Sequence, residues 1–187
     1  MILTILAVVF LAPIFIILFN SFKGKLYISD APFKLPTAET FSGLQNYIDG
    51  LSKTGFLSAF GWSIFITFFS TIVIVLFTAM TGWYITRSKT KVSTSLYFIF
   101  VFSMIVPFQM VMFTMSKVAN MLNLDNPVGL IVLYLGFGAG LSIFMFSGFV
   151  KSIPIDIEEA ALIDGCNPIK TFFLIVLPLL KPICITV

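Results

Sequence analysis

The sequence predicts an all-α, polytopic transmembrane helical bundle. Charge is the first observation behind this. Only 10% of the 187 residues are Asp, Glu, Lys or Arg, and 59% are hydrophobic, against about 25% charged residues in an ordinary soluble domain. So few charges cannot cover a surface that faces water, and the mean hydropathy is +1.09. The second observation is length. A helix needs about 20 apolar residues to cross the hydrocarbon core, and four uncharged stretches meet or approach that: Ile2–Phe19, Phe60–Tyr84, Val92–Met115 and Gly129–Val150. The third is the 23 phenylalanines, which suit a lipid solvent.

Taken in order, Ile2–Phe19 reads as a retained helix and not a signal peptide. It has no charged leading region, and no small-x-small cleavage site follows Phe19. Nothing basic precedes Ile2, which suggests a clipped N-terminus. Residues 20–59 form a polar, turn-rich connector with Pro32, Pro36, Gly43 and Gly50. Within it, "FSGLQNYIDGLSKTGFLSAF" has the apolar spacing of a short amphipathic helix lying at the interface, with a solvated connector as the equal alternative. Trp62 and Trp83 bracket the second span and suit interfacial anchoring.

The short loop after that span carries Arg87, Lys89 and Lys91. Such density marks a cytoplasmic loop. It places the N-terminus inside, residues 20–59 outside and residues 151–171 inside. A fifth run, Phe172–Val187, is apolar apart from Lys181 and reaches about 24 Å as a helix, short of a crossing. The expectation is a single transmembrane domain over residues 1–187, truncated at its C-terminus.

Several functions are disfavoured. There is no histidine, and Cys166 and Cys184 form no CxxC, so neither a metal site nor a disulfide framework is expected. No basic cluster with interleaved aromatics suggests nucleic acid. No GxxxxGK[ST] phosphate cradle exists. The nearest glycine cluster, "GFGAG" at Gly136–Gly140, lies in an apolar run without lysine and reads as helix packing. Without a histidine or an activated nucleophile, enzyme chemistry is not expected. Gln109, two residues after Pro107 inside the third span, is a candidate pathway-lining residue, with a helix–helix hydrogen bond as the alternative.

The most informative stretch is "SIPIDIEEAALIDGCNPIKTFFLIVLPLL". Asp156, Glu158, Glu159 and Asp164 are four of the eight acids in the chain. Pro154 suits a first helical turn, and the acids after it favour the positive end of the helix dipole. Ile153, Ile157, Ala160 and Ala161 give one apolar face. Gly165 is placed as a left-handed cap. Asn167 and Pro168 begin a second helix, which Pro178 should kink. Helices that lie on anionic headgroups favour Lys and Arg, so an acidic helix with a small-residue face suits docking into a protein groove.

This segment resembles the signature of binding-protein-dependent ABC importer permeases: EAA, three residues, G, nine residues, I-x-L-P. Glu159, Ala160, Ala161, Gly165, Ile175, Leu177 and Pro178 match every fixed position, and the Asp164–Gly165 pair is also similar. "GWYITRSK" and "MIVPFQMVMFTMSKVANMLNLDNPVGLIVLYLGFG" are similar to the carbohydrate-uptake branch. The resemblance implies a bundle of six helices, about five of them present. It implies that residues 151–171 are a coupling loop seated in a dimer of ATP-hydrolysing subunits. There Glu159 would make polar contacts, Ala160 and Ala161 would let the helix seat, and Gly165 would permit the turn. Ile175, Leu177 and Pro178 would tie the next helix to the loop. ATP would be bound by the partner, and the chain itself would hold no cofactor. A second, related permease, an extracytoplasmic solute-binding protein, a carbohydrate substrate and the cell-membrane bilayer would complete the system. Import of amino acids or peptides is the alternative within the family. A secondary transporter fragment and a membrane scaffold are the alternatives outside it.

Overall fold

A computed structural model describes residues 2–187, and the described residues are helices and turns with one isolated bridge between Lys23 and Phe41. The chain divides into two compact units, one ending at Gly61 and the other spanning Trp62–Val187.

In the first unit, α1 spans Ile2–Asn20, and only Asn20 is buried. An all-round apolar, all-round exposed helix is the pattern of a segment solvated by lipid. Pro13 sits inside it, as membrane helices tolerate. Residues 20–59 are more than a connector. The Gly24 N–H donates to Thr40 O (2.9 Å) and the Ser42 N–H to Phe22 O (2.7 Å), pinning the two arms together. The Asn46 amide donates to Ser21 O and Lys23 O at 2.8 and 2.7 Å. Lys23 is buried, with its ammonium donating to Ala31 O (2.8 Å) at the end of α2 (Lys25–Asp30). Phe22 packs between the rings of Phe41 and Tyr47. The short helix read in this stretch is α3, Gln45–Lys53.

The long helix α4 runs Phe56–Ser88. Its 33 residues rise about 50 Å, so it starts earlier and ends later than the uncharged run Phe60–Tyr84. In the second unit, α5 (Lys91–Ile105) opens on a capping box between Thr90 and Ser93. The single span expected over Val92–Met115 is instead two helices: α5 and α6 (Phe108–Met121) meet at a 107° bend. Pro107 has no N–H to give the α5 ladder and forces Val106 out of the helical region, to ψ 115°. Two consecutive extended residues turn the chain sharply, where a proline alone would only kink it. α7 (Pro127–Val150) starts on an Asn126 cap, whose side chain accepts from the Gly129 N–H.

Among the described residues, three helices are long and apolar enough to span a membrane, α1, α4 and α7, or four if the bent pair counts as one. Small residues let α7 approach its neighbours. A Cβ on Gly82 of α4 would lie 2.9 Å from the Phe146 Cβ, and one on Gly140 would lie 2.8 Å from the Phe100 carbonyl of α5. The main core gathers Ala79, Phe146, Val150, Ile153, Phe172, Val176 and Leu180.

The C-terminal run also departs from expectation. In place of one kinked helix, α9 (Pro168–Thr171) leads into a wide-turn segment over Phe172–Val176, then α10 (Leu177–Leu179) and α11 (Lys181–Thr186). The Leu177 N–H reaches back five residues to Phe172 O. Pro178 cannot donate to residue 174, and its ring crowds that carbonyl. The ladder adjusts by widening one turn upstream.

Candidate functional site

The acidic loop becomes α8, Ile155–Ile163, with Pro154 one residue earlier than expected, at the N-cap. Its end is the predicted glycine cap. Gly165 has φ +82°. Its N–H donates to Leu162 O (3.1 Å), and the Cys166 N–H donates to Ala161 O (3.0 Å). This crossed pair satisfies two carbonyls that the helix end leaves open. Asn167 caps α9, its side chain accepting from the Lys170 N–H at 2.9 Å.

The rotation of α8 differs from the apolar face read in the sequence. Ile153 and Ala161 are buried as expected, but Ile157 and Ala160 are exposed. Their place inside is taken by a charge. Glu158 is 6% exposed. Its Oε1 accepts from Arg87 Nε (2.9 Å) and Nη2 (2.7 Å), and its Oε2 accepts from the Trp83 indole N–H (2.9 Å). Arg87 Nη2 also donates to Ile153 O, 2.9 Å away, just ahead of α8. The Trp83 ring packs on Phe172, centroid to centroid 5.4 Å, where the chain turns back. Burying a carboxylate is costly unless it is paired and hydrogen-bonded, and here both oxygens are satisfied. The guanidinium and indole of α4 outcompete the apolar residues for the inward position.

The opposite face of α8 is left open. Asp156, Glu159, Ala160 and Asp164 are exposed, with Ile155 and Ile163 among them, the latter 87% exposed. Glu159, the matched acid, therefore points away from the chain while its neighbour Glu158 points in. Ala160 and Ala161 divide in the same way. Ile175 and Leu177 are half-buried along the re-entry and Pro178 is exposed.

Gln109 lies in the first turn of α6, exposed and without a side-chain hydrogen bond among the described residues. Beside the bend is a cavity of about 680 Å³ lined by residues such as Met104, Val106, Phe108, Met115 and Phe137. Gln109 is not among its lining residues, and the Ser103 hydroxyl there is already donated to Phe100 O. Among the described residues, no three His, Cys, Asp or Glu side chains gather into a metal-binding group.

Sequence reasoning missed Trp83, Arg87 and the inward role of Glu158. Arg87 read as a topology signal and Trp83 as an interfacial anchor. The available signal was their spacing. Residues four apart share a helix face, which puts an indole N–H and a guanidinium on one stripe at the end of α4.

A polytopic helical membrane protein with an acidic loop fastened to a long apolar helix is the class these features define. The model of the binding-protein-dependent transport system inner membrane component matches residues 74–187, more than half of the chain, and the chain belongs to that family. It is similar to the probable starch degradation products transport system permease protein AmyC of Thermoanaerobacterium thermosulfurigenes, 37% identical over 182 residues. That match covers 97% of this chain and 65% of the relative. The multiple sugar-binding transport system permease protein MsmG of Streptococcus mutans is 33% identical, over 96% of this chain and 65% of its own length. The melibiose/raffinose/stachyose import permease protein MelC of Bacillus subtilis is 30% identical, over 94% and 63%. The chain thus spans less than two thirds of the length of these curated relatives.

Proposed function

We propose that this chain acts as the transmembrane permease subunit of a bacterial ABC importer for a sugar or oligosaccharide. An extracytoplasmic binding protein delivers the substrate, and ATP hydrolysis on a separate subunit dimer drives its passage. The observation that carries the reading is the open face of α8. Three acids, Asp156, Glu159 and Asp164, surround Ile155, Ala160 and Ile163, all exposed on a helix whose other side is fixed inside the chain. An acidic rim around a small apolar centre suits a cleft with basic walls and an apolar floor. The sugar choice follows the printed names of the relatives above, which refer to starch degradation products, multiple sugars and melibiose, raffinose and stachyose.

In this reading residues 151–171 are the cytoplasmic coupling loop and residues 20–59 lie outside. The Arg87–Glu158 contact supports a shared side for α8 and the basic loop Arg87, Lys89, Lys91, because it joins the end of α4 to α8 directly. Closure of the ATPase dimer would displace α8 and, through it, the membrane helices. A second, related permease would complete the pathway, and Gln109 remains a candidate for its lining.

Co-purification tests the docking role. The tagged permease should retain its ATPase subunit from detergent-solubilised membranes, and Glu159→Lys with Ile163→Asp should lose it, since both positions are exposed and outward. Equal retention by wild type and variant, with equal ATP-dependent uptake of maltotriose, refutes the reading.

A further inference from the structure

We propose that Trp83, Arg87 and Glu158 form a latch that makes α8 and α4 move as one lever, an inference that rests on the coupling role given to α8 above. These are positioning residues, acting through the helices they join. One turn of α4 holds the loop at three places. Arg87 holds the entry at Ile153 O and the first turn at Glu158, both at 2.9 Å or less. Trp83 holds Glu158 through its N–H and the re-entry at Phe172 through its ring. The hydrogen-bonded residues lie 66 to 75 positions apart in sequence, so the latch ties elements that no local contact would bring together.

The chemistry decides what such a tie can transmit. The rest of the packing around the latch is apolar, through Ile153 just ahead of α8 and Phe172 and Val176 after it. Apolar packing is non-directional, so two helices joined by it alone slide at little cost. Separating the carboxylate from its partners would strand a charge in a site where its residue is 6% exposed. A push on the outward face of α8 is therefore delivered to α4, and from Trp62 to Ser88 that helix carries it along about 40 Å. The latch sits at one end of a span, which is where a lever must be gripped.

The test uses the complete complex of permease and ATPase subunits, with Cys166→Ser and Cys184→Ser and spin labels at Phe77 and Leu162. Both label sites are 54% exposed, and neither side chain belongs to the latch. With the latch in place, the interlabel distance stays the same in the nucleotide-free complex and in one trapped with ATP and vanadate. In Trp83→Phe/Arg87→Met/Glu158→Met the packing surface remains but direction is lost. Because all three polar partners leave together, no buried charge or donor is stranded, so melting temperature and co-purification stay as in wild type, while trapping shifts the distance by roughly 1–5 Å, from a small helix shift to a one-turn ratchet. A merely structural contact would lower the melting temperature without creating this nucleotide-dependent shift. A shift in the unmodified latch, or none in the triple variant, overturns the proposal. Should the triple variant not fold, Glu158→Gln decides by the same readout. If that variant fails to assemble, the latch is also wrong, because a fastening that acts in transmission leaves assembly intact. A wild-type permease that never retains the ATPase is a different failure, that of the coupling role itself.

Discussion

Replacing Gly165 with alanine isolates one physical term at the candidate site. A Cβ at this position meets nothing within 4 Å, so crowding plays no part. What opposes the alanine is the backbone, held at φ +82°. The left-handed region costs an L-residue about 1–2 kcal/mol. Alanine returns roughly 0.4–1 kcal/mol by narrowing the unfolded ensemble. The net is about 1 kcal/mol, or roughly a fivefold change in an opening equilibrium. The bonds at stake are the two that close α8, from the amides of Gly165 to Leu162 O and Cys166 to Ala161 O. Hydrogen exchange of these two amides in detergent-solubilised protein reads the opening directly. Both should exchange about fivefold faster in Gly165→Ala. Gly165→Asn should stay near wild type, because asparagine tolerates this conformation. Equal exchange in wild type and Gly165→Ala, or equal acceleration in both variants, refutes the assignment of this turn to backbone conformation.

Three further outcomes follow from the geometry. Gly140→Ala should lower the melting temperature through an overpacking cost of about 1–3 kcal/mol, because its Cβ would lie 2.8 Å from a backbone carbonyl of α5. Gly136→Ala, one turn earlier in the same helix with open space around it, should raise stability by roughly 0.5–1 kcal/mol, and a melting temperature that falls in both would refute the packing argument. Trp83→Phe keeps the ring on Phe172 but removes the donor to Glu158 Oε2, and should cost about 1–3 kcal/mol in thermal unfolding, whereas Trp62→Phe, at an exposed position, should cost far less. Asp49 on α3 titrates below its ordinary value, held there first by the Lys53 ammonium and then by the Gln45 amide. Its contribution to α3 is therefore full above the unfolded pKa and is lost as pH falls through the depressed folded value. NMR of the Asp49 carboxyl carbon should show that low midpoint, and Lys53→Ala should raise it; an unmoved midpoint contradicts the assignment.

The elements legible in the sequence are those written in local signals. Apolar runs marked α1, α4 and α7, and residue types at fixed offsets marked the cap at Gly165 and the start at Asn167. Pro107 inside an apolar run must disturb a helix there, but the size of the bend depends on Val106 also leaving the helical region. Pro178 announced a kink, and the ladder answered upstream, at Phe172–Val176. The orientation of α8 was the least legible. Periodicity ranks positions by hydrophobicity, and by that measure Ile157 belongs inside and Glu158 outside. The inversion is set by partners on α4 more than seventy residues away, as the 75-residue separation of Trp83 and Glu158 shows.

That inversion also explains how two adjacent glutamates come to stand in different surroundings, one buried and one exposed. Successive helical residues point about 100° apart, so fixing one side chain fixes the direction of every other. Glu158 and Ala161 lie on one side of α8, Asp156, Glu159, Ala160 and Ile163 spread around the opposite side, and Ile155 stands at the edge between them. An apolar residue at position 158 could fill the same place but would not specify it, since Ile157 and Leu162 flank the buried stripe on either side. A buried ion pair is a weak source of net stability, and register is its best-attested use. With both oxygens of Glu158 engaged, rolling α8 by one position would expose that carboxylate and leave Arg87 and the Trp83 N–H without an acceptor. The inner glutamate thus sets the rotation at which the outer acids and Ala160 are presented, which accounts for a charge standing where an isoleucine would pack.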